Sequence, residues 1–524
     1  MKAELYPSPC LEDEQALENC FLTKSAEYVQ IPDWETAKSL LPQPIWEGHG
    51  DSIQAYEHAW KLAFKNLYNP APENGFVSPY IDAAFNGDLF LWDSCFMLMF
   101  GRYADTLFPF RKTLDNFYAA QLPDGFIPRQ LHERDGMSKW MRFDPVSTGP
   151  NLLAWCEWEY FLHTGDMERM RRVYAPICAY HRWLKRYHTW PDGSYWSTGW
   201  GSGMDNQPRL PKDDRMDRHQ QERCHHGWMS WIDTNFQQVL SCNMLLNMMD
   251  ALGLDADRAE IAAERDALVK LINDTMWSED AGFYFDRYRD GSLAAAKTIG
   301  AYWGLLAGAV PLERKLHLIR RLTDENIFAR PHPIPSLSRD SAGYAADGGY
   351  WCGGVWAPTN YMVLRGLRHA GEHALAAAIA RRHYDRVLQV WQSTGTFWEN
   401  YAPEEARPGH PAKPDFVGWT GLTPIAILIE YVLGIQMDVP GGVIHWYITN
   451  PERHGIEKLR FGDRSVSLVC EKRKTTNEKP VIRTKNCEGI RIIPHVIDLP
   501  GITEQTKALL SGNPVSGDIL GARF

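Results

Sequence analysis

The chain has 524 residues, a formal net charge of -10, 44% hydrophobic residues and 23% charged residues. This ordinary globular composition excludes a disordered, collagen-like or coiled-coil chain. The acidic balance excludes the basic surface of a general nucleic-acid binder, so no nucleic-acid partner is expected.

The chain opens with a proline-rich stretch, residues 1–45, which we predict to be an irregular arm. It contains no apolar segment of the kind found in secretory leaders, and this favours a cytoplasmic protein. No apolar run approaches the roughly 20 residues of a membrane helix, so no membrane association is expected. The ten cysteines include no CxxC pair, and neither a zinc ribbon nor a redox motif is predicted.

Helical periodicity dominates residues 46–435. Apolar residues recur at spacings of three and four, with Gly, Pro or Asp at the breaks. The pattern predicts twelve helices, near 51–67, 91–104, 107–120, 147–164, 167–188, 231–252, 255–275, 294–308, 311–323, 355–370, 372–392 and 420–434. Twelve helices in alternation predict six hairpins, and therefore a mostly α fold arranged as an (α/α)6 barrel.

Six connections between these helices are long and rich in Gly, Trp, Asp and Arg. They are residues 68–90, 121–146, 189–230, 276–293, 324–354 and 393–419. Long loops are usually functional or disordered, and these are too aromatic to be disordered. We expect all six to lie at one end of the barrel and to carry the site there.

The residue pattern changes from helical to strand-like after residue 436. Short β-branched segments such as VIHWYI and GIRIIPHVI alternate with turn residues. This pattern predicts a small antiparallel β module over 436–524 that packs on the barrel and carries no chemistry.

Two early loop segments hold candidate ligand-binding residues. FLWDSCF places Trp92 and Asp93 at the start of a helix, where an acid can also serve only as a favourable N-terminal charge. In QLPDGFIPRQ, a turn precedes Arg129 and Gln130 on extended chain, although a solvated loop would look the same.

Two later segments hold candidate catalytic carboxylates. WSTGWGSGMDNQPR contains Trp200 and Asp205, and aromatic cover would raise the pKa of such an acid as general acid catalysis requires. An Asx turn at Asp205 and Asn206 is the ordinary alternative. In FWENYAP, Glu399 lies among aromatic residues, with an arginine ion pair as the alternative. A pair of loop carboxylates among aromatic residues indicates glycoside hydrolysis.

Taken together, the motifs resemble the six-hairpin glycoside hydrolases of the trehalase and processing-α-glucosidase clan, families 37 and 63. They are most similar to the bacterial mannosylglycerate and glucosylglycerate hydrolase-like members. The resemblance covers roughly residues 50–434 and rests on FLWDSCF, GSGMDNQPR, FWENYAP and GGVWAPTNY. Intact trehalase signatures are absent, which argues against trehalose as the substrate.

The resemblance implies an inverting exo-acting α-glycosidase for a small α-glucoside or α-mannoside, such as a disaccharide or glycosylglycerate. Asp205 would be the general acid and Glu399 the general base, with carboxyl groups about 6.5–9.5 Å apart. The residues implied in substrate binding are Trp92, Asp93, Arg129, Gln130, Trp200, Asn206, Arg209, Trp351, Trp356, Tyr401 and Trp419. No cofactor and no metal site are expected, and assembly into a homo-oligomer is left open.

Two other classes of function fit parts of the sequence. An α/α-barrel sugar epimerase or isomerase would use paired histidines, and HQQERCHH supplies His219, His225 and His226. The same segment, with Cys224, has poor spacing for a metal site because adjacent histidines point apart. A non-catalytic sugar-binding relative is the third class, and the intact Asp205 and Glu399 weigh against it.

Overall fold

The computed structural model describes residues 11–84, 86–210, 217–475 and 478–497, without the side chains of residues 218 and 219. Within this part of the chain all twelve predicted helices are present, and they form two concentric layers. The inner layer comprises Leu91–Gly101, Leu153–Thr164, Ile232–Leu252, Trp303–Leu306, Ala357–His369 and the π-helix Thr423–Val432. The outer layer comprises Gly50–Ala63, Thr113–Ala119, Met167–Tyr187, Arg258–Thr275, Leu312–Thr323 and His373–Thr394.

The inner helices form a closed ring. Each packs on the next in chain order, and the 3-10 segment Trp419–Leu422 closes the ring against Leu91–Gly101. Every residue of Leu91–Gly101 and of Thr423–Val432 is buried, as expected for helices that are apolar on all sides. By contrast, the outer helix Arg258–Thr275 buries only Ile261, Leu268 and Ile272. The (α/α)6 barrel prediction is therefore confirmed.

The chain alternates between an outer helix and an inner helix, so all inner helices run in the same direction. Each of the six long loops connects an outer helix to the inner helix that follows it. The long loops and the N-termini of the inner helices consequently share one end of the barrel, as predicted. Outer helices follow inner ones through tight turns such as that at Gly253, whose φ of +68 ends the Ile232–Leu252 helix.

Shorter elements complete the barrel. The short helices are Glu14–Leu17, Trp34–Lys38, Gly199–Ser202 and Arg218–Cys224, and the further 3-10 segments are Phe64–Asn66, Arg102–Ala104, Phe110–Lys112 and Ile299–Tyr302. Two-residue antiparallel strands pair within or between loops: Leu67–Tyr68 with Tyr80–Ile81, Leu89–Phe90 with Gln130–Leu131, Met229–Ser230 with Arg287–Tyr288, and Trp277–Ser278 with Phe283–Tyr284. No helix in the described ranges is long and apolar enough to cross a membrane.

The C-terminal β module consists of two sheets. One contains Gln43–Trp46, His454–Phe461, Arg464–Cys470 and Ile482–Lys485 in that order, all antiparallel. The other contains Ile435–Asp438, Val443–Ile448 and Arg491–Val496, and its last two strands pair in parallel. The strand Gln43–Trp46 crosses the predicted boundary at residue 45, which shows that the N-terminal arm contributes to the C-terminal sheet.

Candidate active site

A cavity of about 300 Å³ lies at the end of the barrel where the long loops meet. Eight predicted site residues line it: Trp92, Asp93, Arg129, Gln130, Trp200, Asp205, Trp351 and Trp419. The rest of the wall is formed by Asn86, Phe90, Lys139, Trp140, Gly203 and Tyr350. Five of the six long loops thus contribute to a single pocket of the size of a small ligand.

Asp93 lies in the first turn of Leu91–Gly101, where the positive end of the helix dipole favours a carboxylate. Burial raises its pKa well above the ordinary range, and the nearby Asp205 and Glu399 charges add to this shift. Its Oδ1 atom is buried and has no hydrogen-bond partner among the described residues. Trp92 Nε1 is also buried and has no hydrogen-bond partner among the described residues. A buried acceptor and a buried donor without partners mark atoms that a polar ligand can satisfy.

The loop that carries Asp205 approaches the cavity wall closely. Thr198 caps the short helix Gly199–Ser202, and Gly203 ends it with φ of +77. A Cβ atom at Gly203 would lie 2.6 Å from the Trp92 ring, so only glycine lets this backbone pack on the indole. Burial raises the pKa of Asp205, whereas Arg129, Arg223 and the Trp200 indole lower it. The net direction is upward, as expected for a carboxyl group that must hold its proton.

Glu399 is held from both sides of its carboxylate. The Tyr350 hydroxyl donates to Oε1 at 2.9 Å, and the Lys413 backbone N–H donates to Oε2 at 3.2 Å. Burial raises the pKa of Glu399, while Tyr350 is the largest influence that lowers it. Asp205 also raises this pKa, which shows that the two carboxyl groups interact electrostatically. The Trp419 indole donates to the Glu399 carbonyl oxygen at 2.9 Å and fixes the loop backbone.

Arg129 is one of two basic residues that line the cavity, the other being Lys139. Leu91 N–H donates to the Arg129 carbonyl oxygen at 2.9 Å, which joins this segment to the helix that carries Asp93. The guanidinium lies over the rings of Trp140 and Trp200, 5.9 and 5.7 Å from their centroids. Gln130 Nε2 donates to Asp88 at 2.6 Å. Arg129 is therefore fixed beside the carboxyl groups, where charge-assisted hydrogen bonds orient a ligand best.

Four of the predicted substrate-binding residues lie outside the lining of the cavity: Asn206, Arg209, Trp356 and Tyr401. Asn206 joins loops, donating to Gly349 O at 3.1 Å and accepting from Trp351 N at 2.9 Å. Arg209 is buried and makes four hydrogen bonds to Asp233 and Asp286. Trp356 stacks behind Trp351 with ring centroids 3.9 Å apart. These residues support the wall of the cavity from behind and do not face its interior. Their polar atoms and rings contact other protein residues.

Six residues that line the cavity were not among the predicted site residues: Asn86, Phe90, Lys139, Trp140, Gly203 and Tyr350. Tyr350 is adjacent to Trp351 and has φ of +65, an unfavourable value for a bulky side chain and a frequent feature of functional sites. Lys139 and Trp140 reach the cavity because Lys139 N–H donates to Gln130 O at 3.2 Å. A repeated aromatic pattern within the long loops was the only available signal for them.

The histidine-rich segment is not part of this pocket. The His219 side chain lies outside the described residues, and no histidine is among the described residues that line the cavity. His226 packs between the rings of Trp190, Trp196 and Trp228. Burial lowers its pKa to about 4, so it is neutral at physiological pH. The geometry therefore gives no support to paired-histidine isomerase chemistry.

Larger cavities, of about 1020 and 470 Å³, lie toward the opposite end of the barrel. Several of their acidic side chains are engaged in ion pairs. Glu159 contacts Arg102 and Arg365, and Asp250 contacts Arg258. Paired carboxylates of this kind neutralise basic residues near helix C-termini and are poorly suited to proton transfer. The smaller cavity is therefore the better candidate for the active site.

A barrel of helical hairpins with buried carboxyl groups in a tryptophan-lined pocket defines the class of this protein as a glycoside hydrolase. The chain belongs to the family of mannosylglycerate hydrolase MGH1-like glycoside hydrolase domains, whose family model matches residues 88–420. This finding confirms the resemblance inferred from the motifs.

Individual relatives agree with this assignment. A mannosylglycerate hydrolase of Thermus thermophilus is 26% identical over 355 residues, which cover 55% of this chain and 83% of that protein. An uncharacterized protein of Borreliella burgdorferi is 25% identical over 395 residues, 73% of this chain and 78% of the relative. The crystal structure of a GH63 mannosylglycerate hydrolase from Thermus thermophilus in complex with glucose superposes with a TM-score of 0.55 at 21% identity. That match covers 71% of this chain and 99% of the other, and it shows a shared fold.

Proposed function

We propose that this glycoside hydrolase is an inverting, exo-acting α-glycosidase that hydrolyses a small α-linked glucoside or mannoside. The observation that carries the proposal is the placement of three carboxyl groups: Asp93 and Asp205 line one tryptophan-rich cavity, and Glu399, which lies outside the lining, accepts a hydrogen bond from the lining residue Tyr350. Two carboxyl groups on opposite sides of a glycosidic bond are the minimum that hydrolysis requires. The cavity is small, which favours attack on the end of a substrate.

In this proposal Asp205 is the general acid. Burial raises its pKa, which is the direction that favours a protonated general acid. It donates its proton to the glycosidic oxygen as the bond to the anomeric carbon breaks. Arg129 stabilises the carboxylate that remains, since its charge already favours the ionised form of Asp205.

Glu399 is the general base. The Tyr350 hydroxyl and the Lys413 N–H stabilise its ionised form despite burial. It accepts a proton from a water molecule that attacks the anomeric carbon from the face opposite the leaving group. This geometry requires the two carboxyl groups to lie about 6.5–9.5 Å apart, with room for that water.

Asp93, Trp92 and Arg129 bind the sugar ring. Asp93 Oδ1, which has no partner among the described residues, accepts a hydrogen bond from a sugar hydroxyl group, and Trp92 Nε1 donates one. The tryptophan rings pack on the C–H faces of the sugar. A mannosylglycerate hydrolase is among the relatives, so glycosylglycerates join α-linked disaccharides as candidate substrates. Carbohydrate is thus the proposed ligand, and the aglycone is the part that remains to be identified.

The decisive experiment is a screen of α-linked gluco- and manno-disaccharides and of glucosyl- and mannosylglycerate. Proton NMR recorded during the first turnovers identifies the anomer released. We expect one substrate class to be hydrolysed and the β-anomer to appear first, because inversion of an α-bond yields a β-hemiacetal. Initial release of the α-anomer would contradict inversion, and no hydrolysis of any member would favour the non-catalytic alternative.

Replacement of Tyr350 by Phe tests the role of Glu399 as the base. Loss of the hydrogen bond to Oε1 destabilises the ionised carboxylate and raises the Glu399 pKa. The acidic limb of the kcat/KM profile should then move to higher pH, because the base works only when deprotonated. A hydrogen bond to a charged group contributes about 1.5–3 kcal/mol. At pH values on the acidic limb, we therefore expect kcat/KM to fall roughly 10- to 100-fold relative to the wild type.

The matched control is Tyr344→Phe, because the Tyr344 hydroxyl donates to Glu404, a carboxylate paired with Arg330 outside the lining of the cavity. This variant should leave the acidic limb in place. An unshifted limb in Tyr350→Phe would show that Glu399 is not the group whose ionisation controls the reaction.

A further inference from the structure

A second cluster of ionisable side chains lies away from the cavity, where three helices meet. His181 belongs to Met167–Tyr187, Cys242 to Ile232–Leu252 and Glu264 to Arg258–Thr275. Each offers one ligand atom, and the three atoms lie within 4.8 Å of one another. His181 and Cys242 are fully buried, and the Glu264 side chain is 6% exposed. The proposed hydrolytic mechanism does not use any of the three.

We propose that His181, Cys242 and Glu264 form a binding site for a zinc ion that joins the three helices. Imidazole nitrogen, thiolate sulfur and carboxylate oxygen are the ligand types that zinc takes in proteins. His181 Nε2 lies 3.3 Å from Glu264 Oε2 and 3.8 Å from Cys242 Sγ. Tetrahedral zinc, with bonds of about 2.0–2.3 Å, separates such ligand atoms by roughly 3.3–3.6 Å. The observed spacing therefore fits one ion between the three atoms.

The surrounding residues orient the ligands for this role. Ser241 Oγ lies 2.9 Å from His181 Nδ1, so it can accept the Nδ1–H. The Gln238 amide nitrogen lies 3.1 Å from His181 Nε2, and zinc would replace this contact when it binds the Nε2 lone pair. The Tyr195 hydroxyl and the Gln238 amide donate to Glu264 Oε1 at 2.6 and 2.9 Å. These bonds leave Oε2 as the oxygen for the ion. A hydrogen-bonded outer layer of this kind accompanies most protein zinc sites.

Lys185 indicates how the ion reaches the site. Its Nζ lies 3.1 Å from Glu264 Oε2, and the lysine side chain is 38% exposed. Zinc would displace this ammonium group from Oε2 and enter along its path, and a water would take the fourth position on that side. On binding, the Cys242 thiol loses its proton to solvent and forms a thiolate–zinc bond, while His181 binds through an Nε2 lone pair and Glu264 through a carboxylate oxygen.

The site would be structural rather than catalytic. Three protein ligands from one inner helix and two outer helices bind to each other through the ion, so zinc favours the folded state over the unfolded chain. The prediction is independent of the proposed reaction, because none of the three residues lines the candidate active site. Hydrolytic activity is therefore measured separately and does not decide this proposal.

The test uses untagged full-length protein stripped with a chelator and titrated with zinc chloride or cobalt chloride. We expect one equivalent of zinc to remain after desalting and the thermal midpoint to rise relative to the stripped protein. Cobalt should give a near-ultraviolet thiolate charge-transfer band together with visible bands typical of tetrahedral coordination. The band identifies sulfur ligation directly in the wild-type protein, so this result does not depend on any variant folding.

Cys242→Ala should abolish the charge-transfer band, and Glu264→Gln should lower the zinc content. Cys156→Ala is the matched control, since Cys156 is another buried cysteine on an inner helix but lies outside the cluster. It should keep both signals. Absence of the band in wild-type protein, or its survival in Cys242→Ala, would overturn the proposal and identify the cluster as a metal-free hydrogen-bond network.

Discussion

Replacement of Asp205 by Asn or of Glu399 by Gln should each lower kcat by about 10²- to 10⁴-fold, the usual contribution of a general acid or base. The amides keep the shape of the carboxyl groups but can neither donate the required proton nor accept one. Steady-state kinetics on the substrate identified by the screen measure the effect. Glu405→Gln is the control, because Glu405 lies in the same loop as Glu399 with a side chain that is 70% exposed.

The two variants should differ in their response to the leaving group. Fluoride and nitrophenolate are leaving groups that depart without protonation. A glycosyl fluoride or a nitrophenyl glycoside as substrate should therefore restore much of the activity of Asp205→Asn. It should not restore Glu399→Gln, because the attacking water still lacks its base. Near wild-type turnover by either variant on the natural substrate would show that the assigned carboxyl group is not catalytic.

Both substitutions should also maintain or raise the thermal midpoint. Burial raises the pKa of Asp205 and of Glu399, so the folded protein binds protons more tightly than the unfolded chain does. The wild-type protein consequently loses stability as the pH rises through the unfolded pKa of about 4 toward the raised folded values. A neutral amide does not ionise, so the variants do not lose stability in this way as the pH rises. The stability advantage of the variants should therefore be absent at low pH and grow toward neutral pH, as thermal scans across pH can measure.

The helices and their connections could be predicted from the sequence because they follow from local chemistry. Apolar spacing defined each helix, and the aromatic loops were conspicuous by length and composition. Burial explains why Leu91–Gly101 and Thr423–Val432 are apolar on all sides, since both belong to the inner ring. The motifs around Asp93, Asp205 and Glu399 identified three groups that the structure brings to one end of the barrel.

The side chains adjacent to those motifs could not be placed from the sequence. Trp351 and Trp356 both lie in the GGYWCGGVW segment, yet they stack on each other and only Trp351 lines the cavity. Tyr401 pairs with Val355 through its backbone, and its ring lies behind the wall. Tyr350 depends on a left-handed backbone conformation, and Trp140 depends on a pairing between distant loop residues. These are tertiary features that periodicity does not encode.

The His181, Cys242 and Glu264 cluster illustrates the same limit. These residues belong to three different helices and lie far apart in the chain, so no ligand spacing connects them in the sequence. The expectation of no metal site rested instead on the absence of a CxxC pair and on the spacing of the histidines in HQQERCHH. Only the packing of an inner helix against two outer helices brings an imidazole, a thiol and a carboxyl group to within ligand distance.

Arg209→Met is expected to be the most destabilising single substitution considered for this protein. The Arg209 guanidinium is 1% exposed, and it binds Asp233 and Asp286, both fully buried, through hydrogen bonds of 2.6 to 2.9 Å. It also stacks over the Trp231 ring at 4.0 Å. Removal of the arginine leaves two buried carboxylates without their shared cation. Loss of one partner from a buried ion pair costs about 3–5 kcal/mol.

The same substitution should also lower kcat. Arg209 lies four residues after Asp205 in the same loop, and its two partners belong to different parts of the barrel. Asp233 lies in the first turn of Ile232–Leu252, and Asp286 accepts from the Ile232 backbone N–H at 2.8 Å. The arginine therefore fixes the general-acid loop to an inner helix. Urea unfolding and kinetics at low temperature measure stability and activity separately.

Arg258→Met is the matched control, because Arg258 forms exposed ion pairs with Asp250 and Asp255. Solvent screens exposed pairs, so they contribute little to stability and this variant should unfold close to the wild type. Addition of Asp233→Asn and Asp286→Asn to Arg209→Met should recover part of the lost stability by removing the unpaired charges, but it should not restore kcat. An unchanged unfolding midpoint in Arg209→Met would mean that the ion pairs of Arg209 do not stabilise the fold. An unchanged kcat would mean that the loop keeps Asp205 in position without Arg209.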